Sequence, residues 1–340
     1  KGQGIANEGM HATRLGLKGI PNLAEDIQVA RALFIAEYSG GKIHIPTLSS
    51  AKSVQLIKEA KAKEASAKMI TPATVGGVVS GDSTQLAQLE KTLGNFAYSA
   101  TLPSANEGFT TIENEKVILK IANKGGYIVE ATLKNLEKFK KGSGQLVQLI
   151  KDNNANLNIQ LQTSDNRSLN TKDLYFEPTL TKVGADQILS MKLKAGANEY
   201  LEYEYILKPN DYMIGFDLRS QRLNKVLNTS KSLDLDWSIK TYRNEKSISY
   251  ENRYTEIYFE HQEGKIDYVG QGQDKEENAE NATYVAFKQH FFATILLTDT
   301  PFTAAKLVSN NLVNDETIDT VYTKQLNANI PLAFNNGEIN

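Results

Sequence analysis

The chain has 340 residues, 40% apolar and 23% charged, with a formal net charge of -2; a globular core is within reach and a surface that coats nucleic acid is not expected. There is no cysteine, which excludes disulfides, thiolate metal sites and cysteine catalysis. No apolar run approaches the length of a bilayer span, and Lys1 is followed by no signal-peptide pattern, so the chain reads as a fragment or as one whose start has been removed.

Residues 1–20 are glycine-rich and irregular. Pro21-Asn22 then opens a helix: Asn22 is a plausible N-cap with Glu25 in capping-box position, and Leu23, Ile27, Ala30 and Phe34 follow at helical spacing up to Gly40-Gly41. A short strand is expected at Lys42–Ile45, stopped by Pro46, and a second helix begins at Ser50 with Val54, Ile57 and Ala60 on its inner face. Helix, strand, helix is a piece of an α/β fold, too short to cover both faces of a parallel sheet. From Ala62 to Ser83 the run KEASAKMITPATVGGVVSGDS has the small, polar composition of a linker. Leu86, Leu89 and Leu93 predict a short helix over Thr84–Leu93.

Beyond residue 100 the pattern changes. In Phe109–Lys140, Val117, Leu119 and Ile121 alternate with polar neighbours, and so do Ile128, Ala131 and Leu133. Such alternation marks half-buried strands, and Gly125-Gly126 supplies the positive φ of the turn between them. Roughly fifteen strands are expected from residue 109 on, the clearest being Leu157–Thr163, Leu174–Leu180, Ile188–Lys194, Tyr200–Lys208, Tyr212–Ser220, Ser232–Tyr242, Thr255–His261, Tyr284–Lys288, Ala293–Thr298 and Thr317–Leu326. Pro209-Asn210-Asp211, Glu263-Gly264 and Asn310-Asn311 read as turns between them, and Gln271–Asn281 as an acidic loop. Many strands and almost no helix predict a large, mainly β sandwich.

Several of these stretches carry a resemblance. FAYSATLPS (96–104), FTTIENEKVILKIANKGGYIVEATLKN (109–135), TKDLYFEP (171–178), LKPNDYMIGFDLRSQ (207–221), KSISYENRYTEIYF (246–259), DYVGQG (267–272) and TYVAFKQHFFATILL (283–297) together resemble the periplasmic domain of the YidC family of membrane protein insertases, in its Bacteroidota form. The last stretch matches an aromatic segment of that family, with Tyr284 where a tryptophan is usual. The resemblance covers residues 96–340. It implies a β-super-sandwich similar to the galactose-mutarotase fold, on the periplasmic side of the inner membrane. It also implies a non-enzymatic scaffold or partner-binding role in membrane protein insertion and folding, with Sec translocon components and nascent membrane proteins as partners of the full-length protein. The chain would then stop before the end of the sandwich and before the insertase helices.

The front of the chain is similar to something else. ANEGMHATRLGLKGIPNLAEDIQVARALFIAEYSGGKIHIPTLSSAKSVQLIKEAKAK resembles an internal segment of a dihydroorotase, a metal-dependent amidohydrolase. The family's His-x-His metal motif and catalytic aspartate have no counterpart here, and Thr47 stands where members often carry a metal-binding histidine. The expected organisation is therefore 1–62, an incomplete α/β fragment without activity; 63–95, a linker; and 96–340, the sandwich.

The residues themselves offer little chemistry. His11 and His44 lack the third ligand a hydrolytic zinc site needs. His261 with Glu260 or Glu256 invites comparison with the histidine–carboxylate pairs of sugar mutarotases, and hence a carbohydrate-active or carbohydrate-binding alternative, but spacing alone gives no support. His290 reads as a packed core or edge residue. Trp237 alternates with Leu235 and Ile239 as a core residue, leaving Asp234 and Asp236 on a solvated face. Tyr200, Tyr203 and Tyr205, and Tyr250, Tyr254 and Tyr258, suit either a partner groove or ordinary sheet surfaces. The acidic run 274–280 lacks EF-hand spacing, and no nucleotide-binding or nucleophile-elbow motif is present. No catalytic, metal or cofactor residue is assigned and no cofactor is expected.

Overall fold

The computed structural model describes residues 83–261, 264–270, 274–334 and 339, together with 6–7, 19–20, 26, 28–33, 52–58 and 60. The chain divides into two compact units, Lys1–Thr74 and Val75–Asn340. In the first, residues 28–33 and 52–58 are helical, and Ala6–Asn7 pairs in parallel with Gly19–Ile20. The Ser53 hydroxyl donates to Asp26 at 2.8 Å, both buried. The expected strand at Lys42–Ile45 and residues 63–82 of the expected linker lie outside the described residues, as do His11, His44 and Thr47.

The second unit opens with helices α1 (Ser83–Leu93) and α2 (Ala97–Ala100) and continues as strands. A first four-stranded sheet runs in the order of the chain: β1 (Phe109–Glu113), β2 (Val117–Ala122), β3 (Ile128–Glu137) and β4 (Leu146–Ile150). A second meanders through β7 (Glu177–Val183), β8 (Asp186–Lys194), β9 (Tyr200–Leu207) and β10 (Ile214–Gln221). The largest sheet has eight strands in the order β13-β12-β14-β15-β16-β11-β5-β6. These are β5 (Ala155–Gln162), β6 (Ser168–Asn170), β11 (Leu233–Tyr242), β12 (Glu256–His261), β13 (Lys265–Val269), β14 (Lys275–Lys288), β15 (Ala293–Asn311) and β16 (Tyr322–Leu332). A third short helix, α3 (Ile248–Arg253), leads into β12. Every pairing in this unit is antiparallel, so the fold is the expected mainly β sandwich.

Period-two alternation builds the core. Val117, Leu119 and Ile121 face inward from β2 while Lys120 reaches out to Glu130 at 2.9 Å. Leu189, Met191 and Leu193 of β8 and Leu201, Tyr203, Tyr205 and Leu207 of β9 join the same cluster. Each such side chain removed from water contributes about 1.5–3 kcal/mol, which makes the inward face of every strand non-negotiable in register. At the β2–β3 turn Gly125 and Gly126 hold φ of 87° and 69°, and a Cβ on Gly126 would lie 2.8 Å from the Phe176 ring. That turn therefore needs glycine for both its φ and the close approach of the Phe176 ring, just before the second sheet's leading strand.

Four sequence expectations are corrected. The acidic stretch 275–280 is strand, not loop: it forms the first half of β14, pairing with 304–309, with Ala279 buried opposite Ala305 and Glu276 bridged to Lys306 at 2.8 Å. Asn310-Asn311 is the end of the long β15 rather than a turn; its register with Gln325 and Lys324 of β16 overrides the local turn preference. The last strand begins at Tyr322, because Asp315 and Asp319 accept backbone N–H groups and fold 314–319 into a loop. Strand β7 starts at Glu177 rather than Leu174, which follows a short 3-10 turn.

A candidate partner-binding face

The outward face of β13, β12, β14 and the first half of β15 is a small apolar sheet surface. Register places Tyr268, Tyr258, Ala286 and Ile295 in one cross-strand row and Ile266, Glu260, Tyr284 and Leu297 in the next. Glu256, Lys288 and Ala293 form a third row beside the β14–β15 turn. The opposite faces of these strands, Ile257, Phe259, Val285 and Phe287, are in the core. Ile266, Tyr268, Ile295 and Leu297 remain 62%, 44%, 57% and 57% exposed, so no described element of the chain covers them. By contrast, the outer face of the β7–β10 sheet carries ion pairs: Lys194 with Glu177 at 2.5 Å and Arg219 with Glu204 at 2.6 Å across strands, and Arg219 with Asp217 at 2.7 Å along one strand.

At one end the apolar face runs into an aromatic cluster. The turn 289–292, closed by the Gln289 N–H to the Phe292 carbonyl at 2.7 Å, carries His290 and the exposed Phe291. The His290 ring lies 5.1 and 5.2 Å from Tyr250 and Tyr254 and 3.9 Å from Phe291. The hydrogen bond that the Tyr250 phenol donates to Tyr254 raises its pKa. Lys288 sits 4.9 Å over the Tyr258 ring, and its ammonium is 3.9 Å from the buried Glu256 carboxylate.

Beneath the face a buried polar seam holds it in place. The Lys324 ammonium, fully buried on β16, donates to the carbonyl of Gly270 at the end of edge strand β13. Burial lowers its pKa to about 8, with Glu256 and Asp274 pulling the other way. Gly270 has φ of 103°, and a Cβ there would collide with the Ser309 hydroxymethyl. Thr241 and Thr323 hydroxyls meet at 2.6 Å, and the Gln289 amide donates to the Tyr242 carbonyl at 2.5 Å. Tyr322 donates to the Tyr242 phenol, which donates to Asp152, both at 3.1 Å. Glu251 of α3 accepts from the N–H groups of Asn244 and Glu245 at 2.8 and 2.9 Å, closing the corner before α3.

The residues singled out in the sequence fall in different places. Trp237 is core, stacked 3.9 Å from Phe287 at 18°. Asp236 accepts from Asn329 at 2.6 Å, a strand-face contact. Tyr203 and Tyr205 are buried: Tyr203 packs on Phe176 at 4.8 Å and Tyr205 donates to the Gly126 carbonyl at 2.8 Å, so neither lines a groove. Tyr200 faces outward, bonded to Gln221. His261 and Glu260 are neighbours on one strand and point to opposite faces. His261 and His290 lie at opposite ends of β12, roughly 17 Å or more apart by strand rise, too far to act on one sugar. Among the described residues no three His, Asp or Glu side chains converge as a metal site needs, and no helix is long and apolar enough to cross a membrane. The exposed patch Ile266, Tyr268, Ile295 and Leu297 is absent from the sequence reading. Its only signal there is alternation in 293–298, and alternation does not say which face stays uncovered.

A family model described as the YidC periplasmic domain matches residues 110–333. A membrane protein insertase YidC of Porphyromonas gingivalis is 33% identical over 199 residues, 58% of this chain and 31% of its own length. Another, from Parabacteroides distasonis, is 30% identical over 230 residues, 67% of this chain and 35% of its own. The chain thus spans about a third of the length of these relatives, at 31% and 35%. A dihydroorotase of Trichlorobacter lovleyi is 52% identical over 62 residues, 18% of this chain and 15% of its own. Among solved structures, a putative aldose 1-epimerase of Escherichia coli K12 superposes with a TM-score of 0.38 at 10% identity, over 66% of this chain and 89% of the other.

Proposed function

The chain belongs to the YidC periplasmic-domain family, and from that premise we propose that its sandwich is the non-catalytic, extracytoplasmic scaffold of a membrane protein insertase. Its work is contact: it holds partners beside the membrane while hydrophobic segments are placed in the bilayer, in the full-length protein together with the Sec translocon. The observation that carries this reading is the uncovered apolar face around Ile295 and Leu297, set against a second sheet whose outer face carries the ion pairs Lys194–Glu177 and Arg219–Glu204. A contiguous uncovered aliphatic and aromatic surface marks an interaction site rather than a fold requirement. The dihydroorotase-like stretch adds no catalysis in this reading, and the organisation is a fragment over 1–62, a linker over 63–95 and the sandwich over 96–340.

The test uses full-length insertase carrying Ile295→Ser together with Leu297→Ser, in cells depleted of the unaltered protein. Insertion of a reporter membrane protein is expected to fall several-fold at unchanged insertase level. Insertion at the unaltered rate in this variant, and also in one lacking the whole sandwich, overturns the scaffold reading. Dihydroorotate formation by the purified chain with added zinc would overturn the assignment of the front stretch.

A further inference from the structure

The apolar face is not featureless. In the row farthest from the β14–β15 turn, Glu260 stands between Ile266 and Tyr284, half-buried. Among the described residues no lysine or arginine lies within ion-pair distance of its carboxylate. Lys288, the cation on the same face, is engaged by Glu256 and by the Tyr258 ring. Asp299, exposed two residues beyond Leu297, adds a second acid. The face therefore offers apolar contacts around an unneutralised carboxylate.

Its size limits the occupant. Four strands about 4.8 Å apart and rows spanning four residues of strand rise give a surface about 14 Å on a side, on the order of 300 Å² with its margins. A stable dimer needs about 800 Å² from each partner, so a second copy of this chain is a poor fit. A surface of anionic lipid is disfavoured by Glu260 and Asp299. Addition of a strand to the edge is also disfavoured, because β13 is short and carries the exposed charges Lys265 and Asp267.

Building on the scaffold reading, we propose that this face binds a short, extended apolar polypeptide segment bearing a lysine or arginine, its cation paired with Glu260 and its apolar side chains on Ile266, Ile295 and Leu297. Side chains of such a segment at i and i+2 match the 6–7 Å spacing of the rows, so apolar residues flank the cation on the side that meets the sheet. The pair forms in a site partly stripped of water, where charge reversal costs more than at an open surface.

The test measures fluorescence anisotropy of labelled octapeptides, Leu/Val alternating with Ser/Thr and carrying Lys, Gln or Glu at one central inward position, against the purified full chain. The Lys peptide is expected to bind about 10-fold more tightly than the Glu peptide. Glu260→Gln is expected to bring the two within about twofold, and Ile295→Ser with Leu297→Ser to weaken all three by about 10-fold or more, at unchanged thermal midpoint. Equal binding of the Lys and Glu peptides, or a preference that survives Glu260→Gln, overturns the proposal. So does dimerisation lost in Leu297→Ser, or co-sedimentation with phosphatidylglycerol vesicles lost in that variant. If the peptides fail while the Ile295/Leu297 variant still impairs reporter insertion, this proposal falls and the scaffold reading stands; if peptide binding holds while insertion is normal, the scaffold reading falls alone.

Discussion

Lys324 and Gly126 show how single side chains decide local structure. Lys324 has a folded pKa near 8 against an unfolded value near 10.5. Between these the unfolded chain binds more protons, so stability rises as pH climbs through that window and the full cost of burying the cation is present below it. Urea unfolding from pH 7.5 to 10.5 should show this rise, and Lys324→Met should remove the part due to this residue. Gly126→Ala places a Cβ against Phe176 at a φ of 69°. It is expected to cost about 1–3 kcal/mol by chemical denaturation. Gly125-Gly126 was legible as a turn because glycine pairs announce positive φ. Lys324 was not, because a lysine in an alternating strand reads as a solvent-facing residue until the neighbouring strand that buries it is known.

Elements show the same division. The sixteen strands of the sandwich repeat the alternation visible in the chain, and β2 and β11 keep their predicted inward residues. Their lengths were legible only where turn residues bound them. KEENAE carries three acids and no β-branched residue, yet Ala279 opposite Ala305 and Lys306 beside Glu276 make it strand. The corner between β11 and α3 depends on one buried carboxylate, Glu251, and the N–H groups of Asn244 and Glu245. Glu251→Ala leaves those donors unpaired and is expected to cost about 2–4 kcal/mol, read as a lowered urea midpoint with an unchanged slope. The aromatic cluster on α3 and the 289–292 turn should loosen with it, seen as faster amide exchange there.

For the molecule as a whole, the proposed organisation predicts that limited proteolysis cuts first within the small, polar 63–82 stretch and leaves a resistant product starting between residues 83 and 109, mapped by mass spectrometry. Protection of that stretch would instead mean that the two units are not separated by a linker. Composition excluded thiol chemistry, alternation and turn residues determined a mainly β sandwich, and long collinear motifs determined the family. All of these are written in local order along the chain. Tertiary structure alone decided that Tyr203 and Tyr205 are core, that His261 and His290 are far apart, that Lys324 is buried, and that Ile266, Tyr268, Ile295 and Leu297 stay uncovered. A period of two sorts side chains onto two faces. Which face then meets another sheet is set by strands distant in sequence, whose stacking no local pattern encodes.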